Sequence, residues 1–389
     1  MKAHWNVSNN FLEIAEMPFY WRLSDASIAP EGIKPRLGII VTQDKQYDYL
    51  KFQPTLEQSD VINTAYKEDA NIGFLNPESG QLNTYGSSVN NFFLNEIKRY
   101  SPRRTIEIGC GAGFSIQFLK EHGFDVIGVD PSEYSLRWSE KLGFKLINDF
   151  FTDNIVEFQP NFIYCNDVFE HICEAKEFAS VVFNCLADNG VFCFATTNST
   201  ESIRLGDISM LEHQHVNMFT DRSIYLILAR AGFSEISVNK GSYGNTFHVT
   251  AIKKVDSRSC RNEILEVVEE QPSLCEGFFR RAAKCISHFE EYYQSRSVEH
   301  HNFYVPLRCI PYLACVGDFG DSRVFDSNST WRGKFIDGYR CPIGGIGDIS
   351  HRENDLFFIG SLTFFEEIKK TLMSKGFPVE AISSIEHLL

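Results

Sequence analysis

Residues 107–130, EIGCGAGFSIQFLKEHGFDVIGVD, decide how the middle of this chain folds. A short apolar run leads into Gly109, Gly111 and Gly113, and a helical stretch and a second apolar run that ends at Asp130 follow. A strand, a glycine turn, a helix and a second parallel strand form the unit that holds a nucleotide at the carboxyl edge of a sheet. The spacing of the glycines and the acidic residues nearby decide which nucleotide is expected.

Composition indicates a folded protein of two or three domains, since 43% of the 389 residues are hydrophobic. The formal net charge of −14 argues against general binding to nucleic acid or to an anionic membrane surface. Eleven cysteines occur without a CxxC pair, and the N-terminal MKAHWNVSNN lacks the apolar core of a signal peptide. We therefore expect a cytoplasmic protein with reduced thiols and no membrane span.

Predicted strands and helices alternate through residues 87–254, which is typical of an α/β fold with a mostly parallel sheet covered on both faces. A Gly-Ser-Tyr-Gly turn joins the last two strands, so the sheet is expected to finish with an antiparallel hairpin. The predicted strands are 105–108, 126–129, 162–165, 191–195, 235–238 and 246–253, and the predicted helices are 114–122, 133–142, 175–186 and 221–231.

The glycine spacing does not fit a dinucleotide, because the third glycine of G-x-G-x-x-G would fall at Phe114. Glu107 would repel a diphosphate but suits a ligand with cationic ammonium and sulfonium groups. Asp130 is placed to accept hydrogen bonds from both ribose hydroxyls, as in several nucleotide-binding folds. Asp149 falls after the third strand of the sheet, which the ranges above leave out, and a carboxylate there can receive the adenine amino group. Asn166 follows the fourth strand, 162–165.

With these residues in place, 87–254 resembles a class I S-adenosylmethionine-dependent methyltransferase with a Rossmann-like seven-stranded sheet. The resemblance implies S-adenosyl-L-methionine as the cofactor. A turn without ligand remains the alternative for the glycines, and a helix cap the alternative for Asp130. The cofactor-binding residues that the resemblance implies are Glu107, Gly109, Gly111, Gly113, Asp130, Asp149, Phe150 and Asn166.

Three histidines are candidates for a general base, because methyl transfer to a weak nucleophile requires removal of a proton. His171 follows the fourth strand at the ligand-binding edge, or alternatively packs beside the cofactor. His213 and His215 lie in LEHQHVNMFT, residues 211–220, and would face one side of an extended segment. Together with Glu212 they form an incomplete set of metal ligands, so no metal is predicted.

The same stretch resembles the H-E-H-x-x-x-F-S segment of sugar C-methyltransferases, which implies His215 as the base. Gln214 stands in place of that family's glutamate, and Glu212 in place of its tyrosine. Residues 324–343, VFDSNSTWRGKFIDGYRCPI, resemble part of that family's C-terminal domain. Between Gly317 and Val324 there is too little chain for a crossover helix, so we expect a shortened C-terminal domain that does not bind NAD.

Three segments are expected: an N-terminal subdomain or lid (1–85), the methyltransferase domain (86–255), and a helical segment with a small C-terminal α/β domain (256–389). The family's four-cysteine zinc site cannot form in the first segment, because the first cysteine is Cys110. The predicted function is methylation of a small-molecule acceptor, most simply a sugar or nucleotide-linked sugar, at carbon or oxygen. The alternatives are a non-sugar acceptor such as a phenol or carboxylate, and a non-catalytic S-adenosylmethionine-binding module of a biosynthetic assembly.

Overall fold

The computed structural model describes residues 4–19, 23–25, 36–68, 84–242, 244–254, 258–318, 320–336 and 339–389. Two five-stranded sheets flank a central seven-stranded sheet in the order of the chain. The first is antiparallel, the central sheet is mostly parallel, and the last is parallel. The central sheet carries the stretch 107–130.

The N-terminal sheet places one face of its strands on an apolar core. Along its two longest strands buried side chains alternate with more exposed ones, which is typical of an antiparallel sheet with one solvated face. The elements of this part are β1 Trp5–Val7, β2 Phe11–Pro18, β3 Leu23–Ser24, β4 Arg36–Asp44, β5 Tyr49–Phe52 and helix α1 Leu56–Glu68. The two-residue β3 pairs outside this sheet with a later strand.

The central region alternates strands and helices as the sequence predicts. Its strands are β6 Thr105–Ile108, β7 Val126–Val129, β8 Lys145–Ile147, β9 Phe162–Asn166, β10 Val191–Thr197, β11 Asn217–Met218, β12 Glu235–Lys240 and β13 Thr246–Ile252. Its helices are α2 Thr84–Tyr100, α3 Phe114–Glu121, α4 Glu133–Leu142, α5 Ala175–Cys185, α6 Thr200–Leu205 and α7 Asp221–Ala231.

Seven of these strands form one sheet in the order β12-β13-β10-β9-β6-β7-β8. β13 runs antiparallel to both of its neighbours, and the other pairs are parallel. The predicted α/β fold class with its antiparallel final hairpin is therefore confirmed. β9 and β10 are buried along almost their whole length, which explains why they read as continuous apolar runs.

The remaining strand of this region, β11, belongs to the N-terminal sheet. Asn217 pairs with Lys51 of β5, and Met218 pairs with Leu50, in antiparallel register. The segment that carries His213 and His215 therefore leads directly from the central domain into the first sheet.

The C-terminal part begins with helices α8 Arg258–Glu269 and α9 Phe278–Gln294 and continues as an α/β unit. Its parallel sheet has the strand order β17-β15-β14-β18-β19. The elements are β14 His301–Tyr304, α10 Pro306–Val316, β15 Arg323–Asp326, β16 Phe335–Ile336, β17 Gly344–Gly345, β18 Leu356–Ile359, α11 Phe365–Ser374, β19 Ile382–Ser383 and α12 Ile385–Leu388.

The expectation that this unit lacks a crossover helix is wrong. Helix α10 connects β14 to β15 and lies before Gly317, in a stretch that the sequence analysis did not assign to a helix. An internal Pro311 and an unbroken run of five apolar residues after it hide the helical period, yet the helix is stabilised by burial of Ile310, Tyr312, Leu313 and Ala314.

One apolar cluster joins the N-terminal sheet to the C-terminal unit. Phe289 of α9 lies in its centre, with its ring centroid 5.0 Å from that of Tyr312 and 5.1 Å from that of Phe358. Leu12 and Ile14 of β2 belong to the same buried cluster. The two ends of the chain therefore share a core beside the central sheet. Within the described residues, every helix is too short or too polar to cross a lipid bilayer.

Candidate active site

The glycine turn after β6 has the geometry of a ligand cradle. Gly109, Gly111 and Gly113 all have positive φ, at 68°, 50° and 72°. A Cβ atom at Gly109 would lie 2.5 Å from Val168, and one at Gly113 would lie 2.2 Å from the Phe144 ring, whereas one at Gly111 would meet nothing within 4 Å. The outer glycines therefore allow close packing, and Gly111 leaves open space for a ligand.

Asp130 fixes this turn from the end of β7. One carboxylate oxygen accepts a hydrogen bond from the backbone N–H of Gly111 at 2.9 Å. The other accepts from the N–H of Ser132 at 2.9 Å and from its hydroxyl at 2.6 Å. A carboxylate has about four acceptor positions, so Asp130 retains one for an incoming hydroxyl group. It holds the turn and keeps capacity for the ribose contact that the sequence predicts.

Glu107 is a buried carboxyl group directly below the turn. It is 3% exposed and accepts a hydrogen bond of 2.9 Å from the Tyr164 hydroxyl. Burial raises its pKa to about 8, and the hydrogen bond from Tyr164 offsets only part of that rise. Without a ligand Glu107 is therefore mostly protonated at neutral pH, and a bound cation would favour its ionised form.

The remaining predicted cofactor residues line the same edge of the sheet. Asp149 and Phe150 follow β8 and are exposed, with 48% of the Phe150 surface accessible. Asn166 ends β9, and its side-chain oxygen is buried without a hydrogen-bond partner among the described residues. The open space at Gly111, this orphaned acceptor and the buried Glu107 together fit a nucleoside with a cationic tail.

His171 lies beside this edge in a short turn of 3-10 helix after β9. Its Nδ1 is 2.9 Å from the backbone oxygen of Gln214 and 2.7 Å from the Tyr66 hydroxyl. Because a carbonyl oxygen only accepts, Nδ1 carries the hydrogen and Nε2 keeps a lone pair. Burial, helped by the charge of His215, lowers the pKa of His171 to about 3, so its ring is neutral.

His215 forms an ion pair with Glu212 next to His171. Its Nε2 lies 2.8 Å from a Glu212 oxygen, and its ring centroid lies 4.7 Å from that of His171. Burial alone would lower the pKa of His215, but the Glu212 carboxylate raises it above 6.5. Burial alone would raise the pKa of Glu212, but His215 brings it down to about 2. His215 is therefore a stronger base than a free imidazole, and the Glu212 carboxylate holds it in place.

Contacts connect the glycine turn to this pair. Val168 occupies the space against Gly109, and His171, three residues later, contacts His215. The two halves of the site thus meet along the loop after β9.

His213 does not share the environment of His215, contrary to the expectation that both face one side. Its Nε2 is 3.0 Å from the backbone oxygen of Leu37, and its ring packs against Phe19 and Phe52 at 5.3 Å and 6.0 Å. Burial lowers its pKa to about 4. The segment 211–216 is irregular rather than extended, so the two-residue spacing does not align the rings.

Glu170, His171 and His215 could hold a metal ion, since each offers a donor atom within 4.8 Å of the others. Catalytic zinc sites have three protein ligands, and two imidazoles with one carboxylate are one such set. However, both oxygens of Glu170 accept hydrogen bonds from β10, and Glu212 holds His215. The expectation that no metal is bound stays a prediction.

His215 opens into a cleft between the central domain and the C-terminal unit. The cleft is lined largely by hydroxyl and amide groups, with Arg308 from the C-terminal side and Lys240 from β12. Of the three predicted base candidates, only His215 lines it.

Three side chains of the site were missed by sequence reasoning. Tyr66 comes from α1, in a region whose pattern carried no motif, and Arg308 comes from the unassigned α10. Glu170 directly precedes His171 and is completely buried, and no pattern in the sequence marked it as part of the site.

Comparison with known proteins identifies the domain. A family model described as a methyltransferase domain matches residues 84–238. The C-methyltransferase NovU of Streptomyces niveus is 22% identical over 175 residues, which are 43% of this chain and 42% of that protein. A ubiquinone biosynthesis O-methyltransferase of Idiomarina loihiensis is 21% identical over 169 residues, which are 38% of this chain and 68% of that protein.

Among solved structures, an S-adenosylmethionine-dependent methyltransferase from Archaeoglobus fulgidus aligns with 17% identity and a TM-score of 0.35, covering 42% of this chain and 94% of that one. The chain spans less than half the length of the Streptomyces niveus enzyme that it matches. Residues 84–238 therefore match a methyltransferase domain and have the seven-stranded sheet of class I S-adenosylmethionine-dependent methyltransferases, and the cofactor of this domain is S-adenosylmethionine.

Proposed function

We propose that this protein transfers a methyl group to a small-molecule acceptor, a sugar or nucleotide-linked sugar, at carbon or oxygen, with His215 as the general base. The observation that carries the proposal is the His215–Glu212 pair of 2.8 Å at the mouth of a cleft rich in hydroxyl and amide groups. Such groups suit an acceptor with many hydroxyls. The C-methyltransferase NovU among the relatives supports carbon as a target atom.

S-adenosylmethionine supplies an electrophilic methyl group when it is bound. In the proposed site Gly111 and Asp130 hold the nucleoside, Glu107 and Asn166 face its cationic part, and Asp149 and Phe150 lie beside the adenine. The exposure of Asp149 and Phe150, the burial of Glu107 and Asp130 and the half-buried positions of Gly111 and Asn166 support this division.

His215 then takes a proton from the acceptor atom that receives the methyl group. The Glu212 carboxylate stabilises the imidazolium that results, as an aspartate does for the histidine of a serine protease triad. His171, neutral and fixed by Gln214, packs against His215 and restricts the orientation of its ring. The C-terminal unit contributes Arg308 and residues 360–363 to the surroundings of the acceptor.

The test is turnover by the full chain with S-adenosylmethionine and a panel of acceptors: a keto-sugar nucleotide, a phenol and a carboxylic acid. We expect S-adenosylhomocysteine to form only with the sugar. Loss of deuterium from an acceptor that is labelled at the candidate carbon, in step with S-adenosylhomocysteine formation, would indicate C-methylation, because the C–D bond must break there. Transfer to the phenol or carboxylic acid alone would replace the sugar assignment. Tight cofactor binding without turnover would favour the non-catalytic module.

A further inference from the structure

The cleft that contains His215 lies at a topological switch point of the C-terminal sheet. From the central β14 the chain passes to β15 on one side and later to β18 on the other. In open parallel sheets, ligands bind in the crevice outside the carboxyl ends of the two strands where the order reverses. The first turn of α10, which follows β14, supplies Arg308, the loop after β18 supplies residues 360–363, and both line the cleft.

These two segments pack tightly and so form a fixed wall. The backbone N–H of Gly360 donates a hydrogen bond of 3.0 Å to Tyr304. A Cβ atom at Gly360 would lie 2.8 Å from the Cys309 sulfur and 2.9 Å from the Cβ of Arg308. Only glycine fits there without displacement of the first turn of α10, and Arg308 is thereby held at the rim.

Arg308 has unused hydrogen-bond donors. Its guanidinium makes one long contact of 3.4 Å with the backbone oxygen of Ser209. Among the described residues it has no carboxylate within ion-pair distance, although its side chain is half-buried. A guanidinium has five N–H donors in a fork that matches a carboxylate or phosphate group. Its charge also lowers the pKa of both Glu212 and His215, which places it beside the proposed base.

The carboxylates that line the cleft, and Glu212 beside it, are already engaged. Asp207 accepts hydrogen bonds from Ser202, Ser209 and Tyr312, and Glu212 is paired with His215. Glu201 is paired with Arg204 on the surface. Lys240, exposed at the end of β12, adds a second positive charge to the lining. Two cations therefore face the cleft without carboxylate partners among the described residues.

From this arrangement we infer that Arg308, helped by Lys240, binds an anionic group of the acceptor, a phosphate or a carboxylate. This inference rests on the proposed function and narrows it to acceptors that carry a negative charge. The C-terminal unit then takes part in substrate recognition, and Arg308 determines specificity without touching the methyl donor.

Titration calorimetry of the full chain, with S-adenosylhomocysteine present, tests this assignment with inorganic pyrophosphate and with malonate as probes. We expect millimolar or tighter binding of at least one probe. Arg308→Gln should weaken that binding about tenfold or more, as for other hydrogen bonds to charged groups. Arg308→Lys should retain part of it, because the charge remains while the fork is lost. Preference for pyrophosphate would indicate a phosphorylated acceptor, and preference for malonate a carboxylated one.

Arg280→Gln is the matched control, because Arg280 is exposed on α9 and does not line the cleft. Equal anion binding by the wild type and Arg308→Gln would overturn the assignment, as would failure of both probes to bind the wild type at millimolar concentration. Normal S-adenosylhomocysteine binding in those cases would leave the methyltransferase proposal intact. Loss of S-adenosylhomocysteine binding by the wild type would instead count against the methyltransferase proposal itself.

Discussion

Glu212 holds Nε2 of His215 at 2.8 Å and raises the pKa of that imidazole above 6.5, while burial alone would lower it. Only the neutral ring can accept a proton. We therefore expect kcat to rise with pH through an apparent pKa above 6.5 and to level off at alkaline pH. Glu212→Gln should move this limb to lower pH and reduce the plateau. The measurement is a pH profile of kcat for both proteins.

Replacement of the base itself gives a second prediction. His215→Gln should lower turnover by roughly a hundredfold or more, the usual contribution of a general base, and leave cofactor affinity near normal. His213→Gln serves as the control, because His213 lies in the apolar core and does not line the cleft. A normal rate for His215→Gln would move the role to His171, whose Nε2 retains a lone pair.

The buried Glu107 should couple cofactor binding to proton release. Its pKa of about 8 means that the free protein holds a proton which a cationic ligand would expel. Affinity for S-adenosylmethionine is therefore expected to increase from pH 6 to pH 8 and then to level off. Calorimetry in buffers of different ionisation enthalpy counts the released proton. Glu107→Gln should abolish both the release and the pH dependence, and an unchanged proton count would contradict this role.

Asp130 is expected to contribute directly to nucleoside binding. Asp130→Ala should weaken S-adenosylmethionine binding by about 1.5 to 3 kcal/mol, the range for hydrogen bonds to a charged group. Ser132→Ala removes one internal hydrogen bond of the same carboxylate without removing its charge, and should cost much less. Equal losses in the two variants would mean that Asp130 acts only through the shape of the turn.

The glycine turn allows a prediction that separates binding from folding. Gly111 and Gly123 both have positive φ and open space around the missing Cβ. Alanine at either position should cost about 1 to 2 kcal/mol of stability from backbone strain. Only Gly111→Ala should also weaken cofactor binding, because its methyl group enters the cradle. Thermal unfolding measures the loss of stability, and calorimetry measures the affinity for S-adenosylmethionine. Equal S-adenosylmethionine affinities of the two variants would remove Gly111 from the site.

Buried histidines should make the fold sensitive to acid. The pKa of His213 falls from 6.5 to about 4 on folding, so below pH 6.5 the unfolded chain binds a proton that the folded chain does not. Stability is therefore lost as pH falls, by about 2 kcal/mol between pH 7 and pH 5 for this residue. His213→Gln should flatten that dependence in urea titrations. If the free energy of unfolding depends on pH equally in the variant and the wild type, His213 is not the group responsible.

Sequence patterns predicted the central sheet well because its signals are local. The runs around Ile106, Ile127 and Ile163 are apolar and short, each is followed by glycine, aspartate or asparagine, and each occupies a largely buried strand. The cofactor-facing turn follows from three glycines within five residues. Such features depend little on what the rest of the chain does.

The surroundings of the base were not predictable in the same way. Tyr66 reaches His171 across 105 residues of sequence, and Leu37 reaches His213 across 176. Contacts between residues so far apart in the sequence cannot be predicted from hydrophobic periodicity or from a motif. The two-residue spacing of the histidines assumed an extended backbone, but the strand begins only at Asn217. Arg308 was missed because the helix that carries it contains a proline.

The pairing of β11 with β5 bears on how far the protein can be divided. Two residues after His215 the backbone is tied to Lys51 and Leu50, far outside the region that a methyltransferase domain needs for its own sheet. An excised fragment of residues 84–254 would keep the glycine cradle but lose this anchor. Binding of the methyl donor would thus require a shorter length of chain than methyl transfer, and the fragment would bind the donor without transferring its methyl group.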